Sequence, residues 1–442
     1  MASSKKSQSS NDQLVDLLQA WVKPGQHLVL GLSGGVDSVA LLHMLVQLQV
    51  SLRFTLSALH VNHQLSPNAS AWAVFCQQLC ATYAVPFEVV AVNLTRQPGE
   101  SLEAIAREAR YQVFSSQKAD FIVLAQHLDD QAETLLLQLL RGAGAKGLSA
   151  MPQVRLAARG APILRPLLAV SRSQIESYAV AHTLQWIHDE SNDNLSFDRN
   201  FLRHQIFPAL EQRFPAYRRT LLRVSQNQAE ASDLMDQLAA LDAQQSVRDG
   251  RLLLGPVRLL NPVRAKNLLR YFLAAQGVAM PGAARLGEVL RQLLTAAADA
   301  NVRIMLGRHE LRRFQDQLYI LSESYMPVPH LQWVWQGEPE LNLNELKRVL
   351  RFEQIVGQGI SLEKLLLAPV TVRLRQGGER FQPDCKRPTL SLKHLFQELH
   401  VPPWQRHILP LLYSGETLVW VAGIGIDCHF QAKYDDVGIF IG

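Results

Sequence analysis

The feature that most constrains this chain is a short apolar segment, His27 to Leu32, that runs directly into Ser33-Gly34-Gly35-Val36-Asp37-Ser38 and then into a helical pattern from Val36 to Leu48. An apolar run of this length, closed by glycines and followed by a helix, reads as a strand buried on both faces that turns sharply into a helix. The same alternation recurs. Phe54 to Val61, Phe87 to Val92 and Phe121 to Ala125 read as strands, and Asn68 to Tyr83, Ser101 to Phe114 and Asp129 to Leu140 as helices. Strands separated by helices need crossover connections, so the expected fold is α/β, a doubly wound parallel sheet of Rossmann-like type.

The pattern changes further on. Tyr217 to Ala243, Pro262 to Gln276 and Ala283 to Ala296 have apolar positions at helical spacing, so a mostly helical region is expected to about Leu321. Residues 322–345, with Pro327, Pro329, Trp333, Trp335 and Pro339, read as a linker or an edge strand. The last stretch mixes short strands with one helix around Leu390 to Leu399 and is expected to form a small mixed α/β domain. The division is therefore a loose tail at 1–11, a catalytic domain at 12–214, a helical domain at 215–325 and a C-terminal domain at 346–442. Disorder is excluded for the bulk of the chain, because 48% of its residues are hydrophobic. No apolar run reaches the ~20 residues that cross a bilayer, and the polar N-terminus does not read as a secretory signal, so a cytoplasmic protein is expected. Cys76 and Cys80 fall one helical turn apart, while Cys385 and Cys428 stand alone in the sequence. Reduced, buried thiols are the expectation.

Three stretches carry chemistry. In Ser33-Gly34-Gly35-Val36-Asp37-Ser38 the glycines allow close approach of a ligand, and the free N–H groups of the following helix favour phosphate. Asp37 suits Mg²⁺ beside that phosphate. No Gly-Lys-Ser/Thr follows, so this is not a Walker A loop. Leu59-His60-Val61-Asn62-His63-Gln64-Leu65 ends the second strand beside the position expected for an adenine. Gln126-His127-Leu128-Asp129-Asp130-Gln131-Ala132-Glu133-Thr134 puts three carboxylates at a strand-to-helix junction, where Glu133 shares a helix face with both aspartates. Such a cluster suits Mg²⁺ or the ammonium group of a substrate, and it also complements a helix dipole.

The first of these stretches resembles the pyrophosphate loop of the N-type ATP pyrophosphatases, the PP-loop superfamily, which split ATP into AMP and pyrophosphate while adenylating a substrate. Further blocks in order along residues 27–210 resemble the tRNA(Ile)-lysidine synthetase family in its long form. They are Leu59 to Leu65, Glu103 to Tyr111 after Gly99-Glu100-Ser101, the Asp-Asp block, Arg165-Pro166-Leu167-Leu168, Asp189-Glu190-Ser191-Asn192 and Arg199-Asn200 with Arg203. The chain departs from the family at Gln126, where a histidine is usual. The resemblance implies a ligase that uses ATP and Mg²⁺ to join L-lysine to C2 of the wobble cytidine of tRNA(Ile) with a CAU anticodon. It implies an ATP site of Ser33, Gly34, Gly35, Val36, Asp37, Ser38 and His60, with Asp37 and Asp130 on the metal. Asp129, Glu133 and Arg203 join Asp37 and Asp130 as the catalytic set.

Near the C-terminus, Arg373, Arg375, Arg380, Lys386, Arg387, Lys393 and Arg406 interleave with Phe381, Phe396 and Trp404. Basic and aromatic residues so mixed suit RNA backbone contact and base stacking, as does the net charge of +5. The resemblance assigns this block to tRNA binding, with Arg375, Arg380, Lys393, Trp404 and Arg406 as the contacts expected. A tRNA thiolase is the alternative within the superfamily, but the Cys-x-x-Cys common among thiolases is absent. An inactive tRNA-binding relative is the alternative from another class, and the intact loop argues against it. Oligomeric state, a homodimer included, is left open by the sequence.

Overall fold

The computed structural model describes residues 10–94, 102–156, 160–190, 194–297, 300, 302–322 and 331–442. Residues 1–9 of the expected tail, the Gly99-Glu100-Ser101 step, Ser191-Asn192, Pro327 and Pro329 lie outside the described residues, as does the Glu103 side chain, while residues 10 and 11 of that tail begin a helix. The chain forms two compact units, Met1–Met235 and Asp236–Gly442.

The first unit is built as the alternation predicts. After helix α1 (Ser10–Trp21) come β1 (His27–Gly31), α2 (Val36–Leu52), β2 (Thr55–Asn62), α3 (Ala69–Thr82), β3 (Phe87–Ala91), α4 (Leu102–Ser116), β4 (Phe121–Val123) and α5 (Leu128–Leu140). A helical turn, α6 (Ala145–Leu148), precedes β5 (Val154–Arg155), β6 (Ile163–Leu164) and α7 (Arg172–Ala181). A further turn, α8 (Asp198–Phe201), leads through a π-helical turn at Leu202–Ile206 into α9 (Phe207–Arg213) and the long α10 (Tyr217–Ser246).

The strands lie in the order β3-β2-β1-β4-β6-β5. Every pairing is parallel except that of β5, which closes the edge antiparallel to β6. β1 is central because both its faces are apolar. Leu28 and Leu30 enter the core on one side with Leu41, Leu42 and Leu45 of α2, and Val29 enters the core on the other with Leu59, Phe114 and Ile163. Burying each such side chain stabilises the unit by about 1.5–3 kcal/mol, and Leu30→Ala would cost about 2–5 kcal/mol. The chain leaves β1 to pair β2 on one side and β4 on the other. The strand order therefore reverses between β1 and β4, which opens a crevice at their carboxyl ends. The two motif loops, after β1 and after β4, both open there.

In the second unit the expected helices appear as the C-terminal part of α10, α12 (Pro262–Ala275) and α13 (Ala283–Thr295), preceded by α11 (Leu254–Leu259). The same core also contains a five-stranded antiparallel sheet that the sequence reading did not anticipate. It is formed by β7 (Val247–Arg248), β8 (Arg251–Leu253), β9 (Arg303–Leu306), β10 (His309–Phe314) and β11 (Gln317–Ser322). Its strands are short, and β10 reads HELRRF, with only Leu311 and Arg313 buried, so the apolar alternation is weak.

The C-terminal part is mainly antiparallel. Its elements are β12 (Gln332–Trp335), β13 (Glu340–Leu343), β14 (Arg348–Val356), β15 (Ile360–Ser361), α14 (Leu362–Leu365), β16 (Val370–Arg373), β17 (Arg380–Phe381) and β18 (Leu390–Ser391). They continue with α15 (Leu392–Glu398), α16 (Pro403–Arg406), β19 (Leu411–Ser414), β20 (Thr417–Val421), β21 (Gly425–Ile426) and β22 (Val437–Ile441). β12, from the stretch expected as a linker or edge strand, is the edge of the sheet β12-β16-β19-β20-β21. Among the described residues no helix is long and apolar enough to cross a membrane.

Candidate active site

The loop after β1 is organised from inside by Ser38. Its buried Oγ accepts N–H bonds from Ser33 and Gly34, both at 3.2 Å, and donates to the Gly35 carbonyl at 3.0 Å. Gly34 has φ +88°, and a Cβ there would lie 2.7 Å from Ile187 Cδ1 and 3.2 Å from Cys76 Sγ, so a side chain has neither the conformation nor the space. The Ile187 N–H donates to the Gly34 carbonyl at 2.9 Å, which fastens the loop from behind. Gly35 caps α2 without a side-chain hydrogen bond, so the first N–H groups of a 17-residue helix are left for a ligand.

His60 sits beneath this loop and not on its rim. It is 5% exposed, and its Nδ1 donates to the Leu32 carbonyl at 2.8 Å. The resemblance places it with the nucleotide, and its bond to Leu32 fixes its ring at the strand end from which the loop departs.

Asp37, in the first turn of α2, faces the loop after β4. His127, 2% exposed, lies between three carboxylates. Its Nε2 is 3.6 Å from Asp37 Oδ1 and 3.5 Å from Asp130 Oδ2, and its Nδ1 is 3.8 Å from Asp129 Oδ2. Burial alone would lower its pKa, but Asp130, Asp37 and Asp129 outweigh burial and raise it to about 9. Burial likewise pushes the Asp37 carboxyl up, and His127, Arg172 and Arg203 together bring it below its usual value. Asp37 Oδ1 is buried and has no hydrogen-bond partner among the described residues. His127 received no role in the sequence reading, although it stands inside the motif.

The four acidic candidates divide by what holds them. Glu133 is fully buried, and its Oε1 accepts from Arg203 Nε at 2.9 Å and from a terminal guanidinium nitrogen at 2.7 Å. Arg203 reaches it from the π-helical turn, where one extra residue per turn redirects the side chain. That turn is seated on α5 by an apolar cluster of Ala132, Leu202, Phe207 and Tyr217. Asp130 lies 3.8 Å from the same guanidinium, and its Oδ2 also accepts the His127 backbone N–H at 3.0 Å. Asp129 is occupied on both oxygens. Oδ1 accepts from Arg218 Nε at 2.5 Å, and Oδ2 accepts the backbone N–H of Arg172 at 2.9 Å. Arg218, in the first turn of α10, also donates to Glu211 at 2.7 Å. Asp37 and Asp130 are thus the carboxylates turned toward one point, while Glu133 and Asp129 are held by arginines. The sequence reading missed Arg218 and Arg172; no motif marks them, and Arg218 lies 89 positions from its partner.

Gln126, where the family pattern has histidine, accepts a bond from Arg165 Nε. Arg165 is 1% exposed and donates further to the Pro152 carbonyl at 2.8 Å and to the Tyr111 hydroxyl at 3.4 Å. The guanidinium groups of Arg107 and Arg155 lie over the Tyr111 ring at 4.9 and 4.5 Å. Arg110 instead donates to His63 at 3.3 Å.

The basic residues of the second unit are also sorted by the fold. Arg380, Lys386, Arg387 and Lys393 are exposed. Arg375 pairs with Glu379 at 3.4 Å, and Arg406 donates to the Val401 carbonyl at 2.8 Å. Trp404 is engaged within the unit. Its ring packs edge-on against Tyr319 at 5.1 Å and Phe314 at 6.0 Å, with Arg312 over it at 5.2 Å. One cysteine expectation is overturned. Cys76 and Cys80 are buried thiols, but Cys385 and Cys428 are joined as a disulfide across 43 positions, because two loops distant in sequence meet with their Cα atoms 5.5 Å apart.

A parallel sheet whose switch point carries a glycine loop on one strand and paired aspartates on the next defines an enzyme of the PP-loop class, and residues 5–210 match a PP-loop domain model. Residues 252–319 match a model described as the TilS substrate binding domain, and residues 370–441 one described as the TilS substrate C-terminal domain. The chain is 50% identical to the tRNA(Ile)-lysidine synthase of Nitrosomonas europaea, over 96% of this chain and 93% of that protein. It is 39% identical to that of Coxiella burnetii (92% and 90% covered) and 38% identical to that of Escherichia coli O157:H7 (90% and 92%). The chain belongs to the tRNA(Ile)-lysidine synthase family.

Proposed function

We propose that this chain joins L-lysine to C2 of the wobble cytidine of a tRNA(Ile) with a CAU anticodon, splitting ATP to AMP and pyrophosphate. The observation that carries the reading is the meeting of Asp37, in the turn that follows β1, with His127 of the Asp-Asp motif, whose Glu133 holds Arg203, in a chain half identical to a lysidine synthase over nearly its whole length. In the first step the cytidine C2 oxygen attacks the α-phosphorus of ATP and pyrophosphate leaves. In the second the lysine ε-amine, having lost a proton, attacks C2 and AMP leaves with the oxygen.

The residues suit these steps. The free N–H groups at the start of α2 and the loop shaped by Ser33, Gly34, Gly35 and Ser38 cradle the pyrophosphate. Asp37 in that same turn would repel phosphate unless a cation lay between them. Its buried Oδ1 and Asp130 Oδ2 both lie within 3.6 Å of His127 Nε2, and they are the hard oxygen donors that Mg²⁺ takes beside phosphate. Mg²⁺ there would neutralise the charge developing on the leaving pyrophosphate. Arg203, held by Glu133, presents a guanidinium to the same region for the phosphate or for lysine's carboxylate. Asp129 acts through Arg218 and the start of α7 to hold the Asp-Asp turn in place. His60 supports the loop. Residues 215–325 and 346–442 are assigned to tRNA, with Arg380 and Lys393 as exposed phosphate contacts, while Arg375, Trp404 and Arg406 shape that surface from within. A reaction fed by ATP and tRNA places the protein in the cytoplasm.

The test is incorporation of labelled lysine into tRNA(Ile) transcripts with and without a CAU anticodon, given ATP and Mg²⁺. Label in the CAU transcript alone is expected. AMP formed without lysine transfer would reopen the choice of nucleophile, and neither product would favour the inactive binder.

A further inference from the structure

Cys385 lies in the loop 382–389 between β17 and β18, whose tip is exposed and carries Lys386 and Arg387. Cys428 follows β21 and is half buried, and the disulfide ties one loop to the other. The loops are also held together without it. The Cys428 N–H donates to the Gln382 carbonyl at 2.8 Å, the Gln382 N–H donates to Asp427 Oδ2 at 3.1 Å, and Gln431 donates to the Pro383 carbonyl at 3.3 Å. These bonds anchor Gln382 and Pro383 at the base of the loop, so the sulfurs stay near each other after reduction while the tip, with Cys385, Lys386 and Arg387, regains freedom. His429 is exposed, and its ring offers a nitrogen within 4.8 Å of both sulfurs. The other two thiols, Cys76 and Cys80, are fully buried, and burial raises them to about 12 and about 11, so they are inert toward exchange.

We propose that Cys385 and Cys428 are a reversible dithiol–disulfide site beside the exposed Lys386 and Arg387 of the C-terminal part, and that closing it fixes their loop for contact with RNA phosphate. The phosphate contact rests on the function proposed above; the thiol chemistry does not. A low-molecular-weight disulfide, represented by oxidised glutathione, is the oxidant. The exposed Cys385 thiolate attacks one glutathione sulfur, the S–S bond breaks, and one glutathione thiolate leaves. His429 takes the Cys428 proton, and the Cys428 thiolate then attacks the Cys385 sulfur of the mixed disulfide and releases the second glutathione. Two protein thiols are oxidised, one glutathione disulfide is reduced to two thiols, and the two protons end on glutathione. Closure removes freedom from a loop that carries two long cationic side chains, so the entropy lost on binding RNA falls.

The experiment uses the full chain, reduced and then treated with oxidised glutathione. Native alkylation followed by intact mass counts reactive thiols, and tRNA(Ile) affinity is measured at matched salt. Two alkylated thiols in the reduced protein and none after oxidation are expected, with tRNA bound about threefold to tenfold more tightly in the oxidised form. The Cys385→Ser and Cys428→Ser variants should each bind tRNA as the reduced parent does and show no affinity gain on oxidation. Persistent glutathione on Cys385, or thiols that survive oxidation, would overturn the site. So would one Zn²⁺ retained per reduced chain and lost in Cys385→Ser, which would make the pair and His429 a metal site. Equal affinity in both states would overturn the link to RNA. No tRNA binding in either state would remove the function reading and that link together, while the alkylation pattern would still report the disulfide.

Discussion

Replacing Arg203 with alanine tests the assignment of Glu133 as a buried carboxylate that orients a guanidinium. Glu133 is 0% exposed, and both of its recorded hydrogen bonds come from Arg203 to Oε1, while Oε2 is buried and unpartnered among the described residues. Removing one partner of a buried ion pair costs about 3–5 kcal/mol. The Arg203 side chain is 26% exposed, so solvent screening discounts this to about 2–3 kcal/mol. At about 2–4 °C per kcal/mol for a unit of this size, the calorimetric transition of the first unit should fall by about 4–12 °C. Burial and Asp130 already hold the Glu133 carboxyl above its usual pKa, against the pull of Arg203, and the variant releases that pull. A carboxyl whose folded pKa exceeds its unfolded value destabilises the fold only when it must ionise. The penalty relative to the parent should therefore be small below the unfolded pKa of about 4.3 and grow as pH rises toward the folded pKa. Arg203→Lys should recover part of the loss. A drop in Tm under about 1 °C, or one equal at acidic and neutral pH, would refute the assignment.

Gly34→Ala adds a methyl 2.7 Å from Ile187 Cδ1 at φ +88°, so AMP formation should fall by at least about tenfold, and parental activity would show that the loop tolerates the shift. Arg218→Ala leaves Asp129 Oδ1 without its arginine, and Oδ2 with the Arg172 N–H and the His127 ring. We expect about tenfold slower AMP formation with unchanged tRNA affinity, and an unchanged rate would remove Asp129 from the positioning role. Arg380→Ala should weaken tRNA binding and lower its salt slope by about one without moving Tm, as expected for an exposed phosphate contact. Trp404→Ala should instead lower the Tm of the second unit, because its ring packs on Phe314 and Tyr319; a Tm equal to the parent's would return that ring to stacking on RNA.

The sequence by itself determined what depends on local order. The strands at 27–31, 55–62, 87–91 and 121–123 and the helices between them follow from apolar periodicity, and the loop after β1 follows from glycine's tolerance of positive φ. Those signals sit within ten or so residues, so neighbours in the chain suffice to set them. The sheet at 247–322 escaped the reading because strands of two to six residues rich in arginine carry little alternation. Only the tertiary structure decided which partner holds each carboxylate. Four acidic residues look alike in sequence, and they differ because Arg203 and Arg218, 70 and 89 positions away, reach Glu133 and Asp129, while Asp37 and Asp130 both lie against His127 Nε2. It likewise joined Cys385 to Cys428 and turned Trp404 inward. Charge pairing and burial depend on distance in space, and a buried group takes its character from whichever partner the packing of other elements delivers.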